Sequence, residues 1–400
     1  MFDVCIIGGG PAGLMAAETA ADNGLSVVII DAKPTYGRKF LMAGKSGLNI
    51  TKDEAKSEFL NHYFNAKEWL APIINNFDNE AVMKWAKDLN QEIFTGSSGR
   101  VFPKSMKASP LLRSWLIRLS NKGVTFYRNW KWLGWQGDEA VFETILGKKL
   151  IKSHTTVLAM GGASWPHLGS DGLWADILKN NNVNVTNFQP SNMGFKIQWS
   201  KYMKPFFGSP IKSVRMTSGK FSTIGEFVIS QKGIEGSGIY SASKFMRDGN
   251  NLLIDLLPDT EIETLHKRHK LLSPKVSRST FNRKVLRLNN EKTAFFNEFS
   301  QHISTQDISH TAKNLLVPHE GPNPINEAIS TAGGVSKSAL NDNLMLKAKP
   351  SVFCAGEMLD WEAPTGGYLI SACLATGKWA GLGATNYIRN LKLNKNIIRD

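Results

Sequence analysis

The run Phe2-Asp3-Val4-Cys5-Ile6-Ile7-Gly8-Gly9-Gly10-Pro11-Ala12-Gly13 decides the fold. An apolar strand feeds a G-x-G-x-x-G turn, and Leu14-Met15-Ala16-Ala17-Glu18-Thr19-Ala20-Ala21 continues it as a helix. In such a unit Gly8 permits the tight turn, Gly10 lets backbone approach a pyrophosphate, and Gly13 lets helix pack close to strand. Pro11 and Ala12 complete the first helical turn, whose free N–H groups and dipole favour a diphosphate. Ser26-Val27-Val28-Ile29-Ile30 reads as a second strand ending at Asp31, eighteen residues after Gly13. An acid at that place hydrogen-bonds a ribose and repels a 2′-phosphate, with Ala32 and Lys33 beside it. A lone glycine motif is weak evidence. Strand, glycines, helix, strand and terminal acid in this order predict a dinucleotide site.

An NAD dehydrogenase opens with the same unit, so the identity of the dinucleotide rests on the far end of the chain. Ser351-Val352-Phe353-Cys354-Ala355-Gly356-Glu357 reads as a buried strand running into a glycine turn. Thr365-Gly366-Gly367-Tyr368 and a helix from Leu369 to Trp379 follow. A second glycine-opened helix N-terminus suits the pyrimidine edge of a flavin, because reduced flavin carries negative charge near N1 and O2. With the first motif at the N-terminus, this pairing favours FAD; an ordinary strand–loop–helix crossover is the alternative.

Further segments point the same way. They are Gly37-Arg38-Lys39-Phe40-Leu41-Met42-Ala43-Gly44 with Gly47-Leu48-Asn49-Ile50-Thr51, and Gly96-Ser97-Ser98-Gly99-Arg100-Val101-Phe102-Pro103. Gly161-Gly162-Ala163-Ser164-Trp165-Pro166, Ala328-Ile329-Ser330-Thr331-Ala332-Gly333-Gly334-Val335 and the run from Phe353 to Tyr368 complete the set. Together they resemble the bacterial NAD(P)/FAD-dependent oxidoreductases of the aminoacetone-oxidase-like and BaiN-like group, over essentially the whole chain. The resemblance implies an α/β fold: a single Rossmann-type FAD-binding domain of the glutathione-reductase kind, split by an inserted β-barrel-like domain that carries a helical subdomain. It implies noncovalent FAD, but substrates differ among members and do not transfer. Three departures stand out. Lys45-Ser46 replaces an expected glycine- and arginine-rich link, Asp31 stands where many FAD proteins carry glutamate, and Met193 occupies a place where relatives carry cysteine.

Composition agrees with a soluble enzyme of two or three domains: 400 residues, 42% hydrophobic and 20% charged. No stretch has the apolar length to span a bilayer, and Asp3 stands where a targeting peptide needs a basic start, so a cytoplasmic location is expected. Three cysteines make no disulfide framework; Cys5, Cys354 and Cys373 read as small apolar residues in a reducing compartment.

The texture of the chain divides it. Residues 1–190 and 331–400 read as the FAD domain, with helices over Asn76–Asn90 and Lys107–Lys122 and strands at Val124–Arg128 and Thr155–Met160. Residues 191–257 and 315–330 read as antiparallel β structure, in short segments between glycines. Residues 258–314 are basic and helix-prone, broken at Ser273-Pro274. No second strand–GxGxxG–helix unit and no redox-active cysteine pair is present, which argues against a glutathione-reductase-like mechanism. NAD(P)H, if it is the electron donor, binds transiently at the substrate cleft or on another surface. No His-Glu-x-x-His or Cys/His cluster appears, so no metal is expected, and the histidines are scattered.

The formal net charge of +14 is the least explained feature. Glu92 and Asp138 bracket eight basic residues from Arg100 to Lys131, and Glu263 and Glu291 bracket Lys267, Arg268, Lys270, Lys275, Arg278, Arg283, Lys284 and Arg287. Such runs suit an anionic substrate, an acidic membrane surface or RNA, or form a plain solvated face.

The site residues follow from these motifs and the resemblance. Gly8, Gly10, Gly13 and Asp31 hold the ADP half, and Trp130 stands where a strand passes the adenine. Arg38 and Lys39 position phosphate or ribose, Gly161 and Gly162 follow a core strand, and Gly356 and Glu357 stand where ribityl hydroxyls are expected. Gly44 and Asn49 bound the loop that approaches the isoalloxazine, while Gly366, Gly367, Tyr368 and Leu369 offer backbone N–H groups to the pyrimidine. Arg100, Tyr240, Asp360 and Tyr368 are the candidate proton movers or substrate anchors, and Trp165 and Trp361 candidate pocket walls. Three functions compete: an oxidoreductase working by hydride transfer at flavin N5, through amine oxidation or reduction of an activated double bond; an RNA-associated flavoprotein holding tRNA on its basic insert; and a flavin binder without catalysis.

Overall fold

The computed structural model describes residues 1–45, 47–272, 276–304 and 307–397. Ser46, the Ser273-Pro274 break and Lys275 lie outside the described residues. The chain forms two compact units, Met1–Gln189 with Ser330–Asp400, and Pro190–Ile329.

The first unit begins with β1 (Phe2–Ile7), α1 (Pro11–Asp22) and β2 (Val27–Asp31). Next come α2 (Arg38–Ala43), β3 (Thr51–Lys52), α3 (Lys56–Asn61), α4 (Lys67–Asn76) and α5 (Asn79–Asp88). Then β4 (Ile93–Thr95), β5 (Arg100–Pro103), α6 (Ala108–Asn121) and β6 (Thr125–Arg128) lead into a meander of β7 (Lys131–Gln136), β8 (Glu139–Thr144) and β9 (Gly147–Ile151). The first pass ends with β10 (Ser153–Leu158), α7 (Trp174–Lys179) and β11 (Val185–Ser191).

In the second unit lie β12 (Phe195–Lys196), β13 (Pro210–Ser218), β14 (Phe221–Ser230), β15 (Gly233–Glu235), α8 (Ser237–Arg247) and β16 (Leu252–Asp255). Four helices follow, α9 (Ile262–Lys270), α10 (Arg278–Phe281), α11 (Asn290–Ser300) and α12 (Ile308–Lys313), and then β17 (Leu315–Val317). The chain returns to the first unit through β18 (Ser330–Val335), β19 (Val352–Cys354) and α13 (Tyr368–Ile397).

The central sheet runs β19-β10-β1-β2-β6, every pairing parallel. Val4 to Ile7 and Val27 to Ile30 are all buried, as a strand covered on both faces requires. Each such side chain contributes about 1.5–3 kcal/mol when taken from water. From β1 the chain builds outward to β2 and β6, then returns to add β10 and β19 on the other side. Ligands of such sheets bind beyond the strand C-termini at that switch point. Helix α13 packs on α1 without intervening side chains. A Cβ at Gly377 would lie 2.2 Å from the Ala12 carbonyl oxygen, and one at Gly381 2.8 Å from that of Ala16.

In the second unit six strands run β12-β15-β14-β13-β16-β17, all antiparallel. The segment after β17 returns to β12: Lys196 N donates to Gly321 O at 2.9 Å and Glu320 N to Lys196 O at 2.8 Å, which makes the sheet barrel-like. Helices α9 to α12 lie between β16 and β17 in the chain.

Three local expectations need correction. The helix expected over Asn76–Asn90 is α5, which starts three residues later at Asn79, because the Asp78 side chain accepts from Ala81 N and caps it. The stretch 191–257, expected as antiparallel β structure, contains α8; Ile239, Ala242, Ser243 and Met246 are buried at helical spacing, a period hidden by the surrounding glycines. Helix α13 extends well past Trp379, held by the Gly377–Gly381 contact with α1.

Candidate active site

All five strands of the central sheet deliver candidate residues at their C-terminal ends: Gly8 after β1, Asp31 on β2, Trp130 after β6, Gly161 after β10 and Gly356 after β19. Gly8 has φ +107°, and a Cβ on it would lie 2.3 Å from the Ala159 carbonyl oxygen, so only glycine makes this turn. Gly10 is the opposite case. It is the N-cap of α1, has no side-chain cap, and a Cβ there would meet nothing within 4 Å. The α1 N-terminus therefore opens onto free space, with Pro11 at its start and Ala12 and Gly13 in its first turn, as a pyrophosphate requires.

The Asp31 carboxylate is already oriented. Its Oδ2 accepts from Gly9 N and its Oδ1 from Lys33 N, both at 2.8 Å. Burial pushes its pKa up, while those two bonds and the nearby Lys33 and Arg38 pull it down. Each oxygen keeps a lone pair for a ribose hydroxyl. Ala32 lies between the two anchored positions. Arg38 reaches Thr35 Oγ1 at 3.3 Å through Nη1, while its buried Nε and the Tyr36 hydroxyl make no hydrogen bond. Trp130 stacks on Tyr127 at 4.6 Å and 12°, with its backbone N donating to Asp31 O.

A polar network lies deeper. Lys39 Nζ contacts Glu357 Oε2 at 2.6 Å and Ser164 Oγ at 2.8 Å. Glu357 Oε1 accepts from Thr331 N, and Thr331 Oγ1 accepts from Ala163 N and Ser164 N. A Cβ at Gly161 would sit 3.9 Å from Glu357 Oε2, and one at Gly162 2.5 Å from Thr331 Oγ1. Gly356 packs on Ala12, and Trp361 is buried with its indole N–H donating to Gly356 O. Trp361 is thus a core residue here, while Trp165 is partly exposed in a left-handed conformation at φ +60°.

The third cluster joins the Gly44–Thr51 loop to the start of α13. Gly44 abuts the backbone of Ala108, where a Cβ would come within 2.9 Å of its N. Asn49 Nδ2 donates to Thr51 O at 2.7 Å and Val101 O at 3.0 Å, so the side chain is fixed and its buried Oδ1 lacks a donor. Gly367, at φ +97°, lies so close to Thr51 that a Cβ would come within 2.5 Å of its backbone. Ser371 Oγ donates to Thr51 Oγ1 at 2.9 Å and ties the loop to the helix. Leu369 packs against the unit's core.

Arg100 and Tyr368 come together here. Arg100 Nε lies 3.8 Å from where a Cβ of Gly366 would sit, and its charge acts on the Tyr368 phenol. Tyr368 donates its hydroxyl to Glu54 Oε1 at 2.7 Å; burial and the Glu54 carboxylate hold its pKa well above the usual phenol range. Glu54 also pairs with Lys52 at 2.7 Å and faces His62 Nε2 at 3.7 Å. The His62 ring lies against Tyr368 at 4.2 Å, and burial lowers its pKa against the pull of Glu54. Lys52, Glu54 and His62 are missed by sequence reasoning, because nothing in Thr51-Lys52-Asp53-Glu54 marks it as more than a polar turn.

The other two candidates have partners of their own. Asp360 accepts from Thr186 Oγ1 at 2.7 Å. Tyr240 is on α8 of the second unit, its pKa raised by burial and by Glu235. Met193 is buried in that unit's core. Among the described residues no group of His, Cys, Asp and Glu can hold a metal, and no helix is long and apolar enough to cross a membrane.

Known proteins share the fold of this chain. A family model described as "HI0933-like protein Rossmann domain" matches residues 2–383. A 3-dehydro-bile acid delta(4,6)-reductase of Clostridium scindens is 24% identical, over 96% of this chain and 99% of its own length. A ribosomal RNA dihydrouridine synthase of Escherichia coli is also 24% identical, over 92% and 94%. Among solved structures, a flavocytochrome c3 fumarate reductase in its open conformation superposes with a TM-score of 0.53 at 14% identity. It covers 96% of this chain and 78% of that one, a likeness of fold. The chain belongs to the HI0933-like family of Rossmann-domain proteins and is an FAD-dependent oxidoreductase.

Proposed function

We propose that this protein reduces a carbon–carbon double bond conjugated to a carbonyl group in a small molecule, with NAD(P)H as the transient electron donor. When bound, FAD supplies the hydride chemistry at N5. Arg100 carries the reading. Its guanidinium stands beside the Gly366 turn and makes no hydrogen bond or ion pair among the described residues. Saturating such an alkene builds negative charge on the carbonyl oxygen, which a free guanidinium can meet. The same cation disfavours a protonated amine, so amine oxidation fits less well. The names of the two relatives, a delta(4,6)-reductase and a dihydrouridine synthase, both denote loss of a carbon–carbon double bond.

In this reading Gly8, Gly10, Pro11, Ala12 and Gly13 hold the pyrophosphate, Asp31 with Ala32 and Lys33 holds the ribose, and Trp130 flanks the adenine. Arg38, Lys39, Gly161, Gly162, Gly356 and Glu357 line the middle of the cofactor. Gly44, Asn49, Gly366, Gly367, Tyr368 and Leu369 meet the isoalloxazine, with Asn49 Oδ1 as a fixed acceptor for a ring N–H. Tyr368 keeps its proton, and Glu54 holds that proton at the hydroxyl. Asp360 and Tyr240 serve as scaffold. The free thiols fit a reducing cytoplasm of a bacterium; burial pushes Cys5 up to about 12. Anaerobic mixing of the yellow protein with NADH and NADPH tests the proposal. Rapid bleaching, reversed by an added enone, is expected. Slow bleaching with peroxide release on amines would overturn it.

RNA binding is a second reading, favoured by the name of the Escherichia coli relative. Several basic residues counted for it are otherwise engaged: Arg268 donates to Val285 O, Arg278 to Ile303 O, and Lys104 pairs with Glu92. Salt-sensitive retention of tRNA or ribosomal RNA, lost in Lys267→Ala/Lys270→Ala, would promote it.

A further inference from the structure

The three-stranded sheet β3-β5-β4 presents one face with two chemically distinct ends. Along β5, Val101 and Pro103 are buried while Arg100 and Phe102 are not, so these two share the outer face. Across the sheet Lys52 pairs with Arg100 and Phe94 with Phe102. The Phe94 and Phe102 rings stack at 5.7 Å and 26°, and Phe94 remains 41% exposed. Met106 extends this apolar end; its Cε lies 2.7 Å, and Phe102 Cε1 3.9 Å, from where a Cβ of Gly47 would sit. Gly47 belongs to the same loop as Gly44 and Asn49. At the polar end Lys52 is spent on Glu54, which leaves Arg100 as the anchor.

An exposed aromatic ring stacked on a half-buried one, next to an uncommitted cation, makes a site for a ligand with an apolar body and one polar group. Arg100 and Phe102 are two residues apart on a strand, about 6.6 Å. We propose that Phe94, Phe102 and Met106 form a specificity platform for a flat, apolar ring on the substrate, while Arg100 takes its carbonyl oxygen. The proposal rests on the reductase reading and names the substrate class: an aryl- or polycyclic enone, not a small hydrophilic alkene.

Binding tests it without turnover. The FAD-loaded full-length protein is titrated with cyclohex-2-en-1-one, benzylideneacetone and uridine, and the flavin difference spectrum is followed. Benzylideneacetone should bind at least tenfold more tightly than cyclohexenone. Phe94→Ser and Phe102→Leu should each cut that ratio to threefold or less, with FAD content showing that the variants fold. Equal affinities, an unchanged ratio in both variants, or tightest binding by uridine would overturn the platform. So would a dimer in sedimentation that Phe94→Ser dissolves, since the face would then belong to a second copy. Failure of NAD(P)H to bleach the flavin would strike the reductase reading alone.

Discussion

Lys39 and Glu357, 318 residues apart in the chain, meet in a 2.6 Å Nζ–Oε2 contact with side chains 26% and 12% exposed. Glu357 also accepts from Thr331 N, so three distant segments depend on one carboxylate. Breaking a buried pair from one side leaves an uncompensated charge. Lys39→Met is therefore expected to cost about 2–4 kcal/mol in urea unfolding, and Lys39→Met/Glu357→Gln less than Glu357→Gln and Lys39→Met summed.

Two glycines of one motif should fail differently. A Cβ at Gly13 would lie 1.9 Å from the Gly8 carbonyl oxygen, so Gly13→Val should express poorly or melt several degrees lower. At Gly10 the backbone is extended and the space is open, so Gly10→Val should fold normally. It should lose FAD at least a hundredfold, read by flavin fluorescence on dilution, because the new methyls occupy the phosphate position.

Burial lowers the pKa of His62 below its ordinary 6.5. The unfolded chain then binds more protons than the folded one between the lowered value and 6.5. Stability from neutral His62 is complete above 6.5 and declines as pH falls through that window. His62→Gln should lack this decline. Chemical denaturation of both proteins from pH 7.5 to 5.5 should show the variant gaining on the native protein as the pH drops; parallel curves would refute the assignment.

Arg100→Leu should bind FAD as before but lower enone reduction by about 10²–10³-fold in kcat/KM, the usual effect of removing an oxyanion donor. Arg100→Lys should recover part of it. Stopped-flow separation of the two half-reactions would place the loss in flavin reoxidation and not in bleaching by NADPH.

The fold was legible where chemistry is local. Strand, glycine turn and helix at Phe2–Ala21 and the acid at Asp31 are set by backbone sterics and short-range pattern, so residue order alone carried them to the cofactor domain. Helix α8 escaped because its buried Ile239, Ala242 and Met246 lie among glycines that read as turns. Asp78 likewise moved the start of α5 three residues past the one the pattern suggests, through a single capping bond.

What residue order determined was the dinucleotide end of this protein, because each of its parts is built from neighbours within a few positions. What only the tertiary structure decided was the reacting end. Glu54, His62, Arg100 and Tyr368 come from three separate stretches; Glu54 and His62 are unremarkable in theirs, and nothing in residue order pairs Arg100 with Tyr368. Their charge, burial and hydrogen bonds arise only when β3, β5 and the first turn of α13 are brought side by side. Long-range packing creates that environment, and no local pattern encodes it.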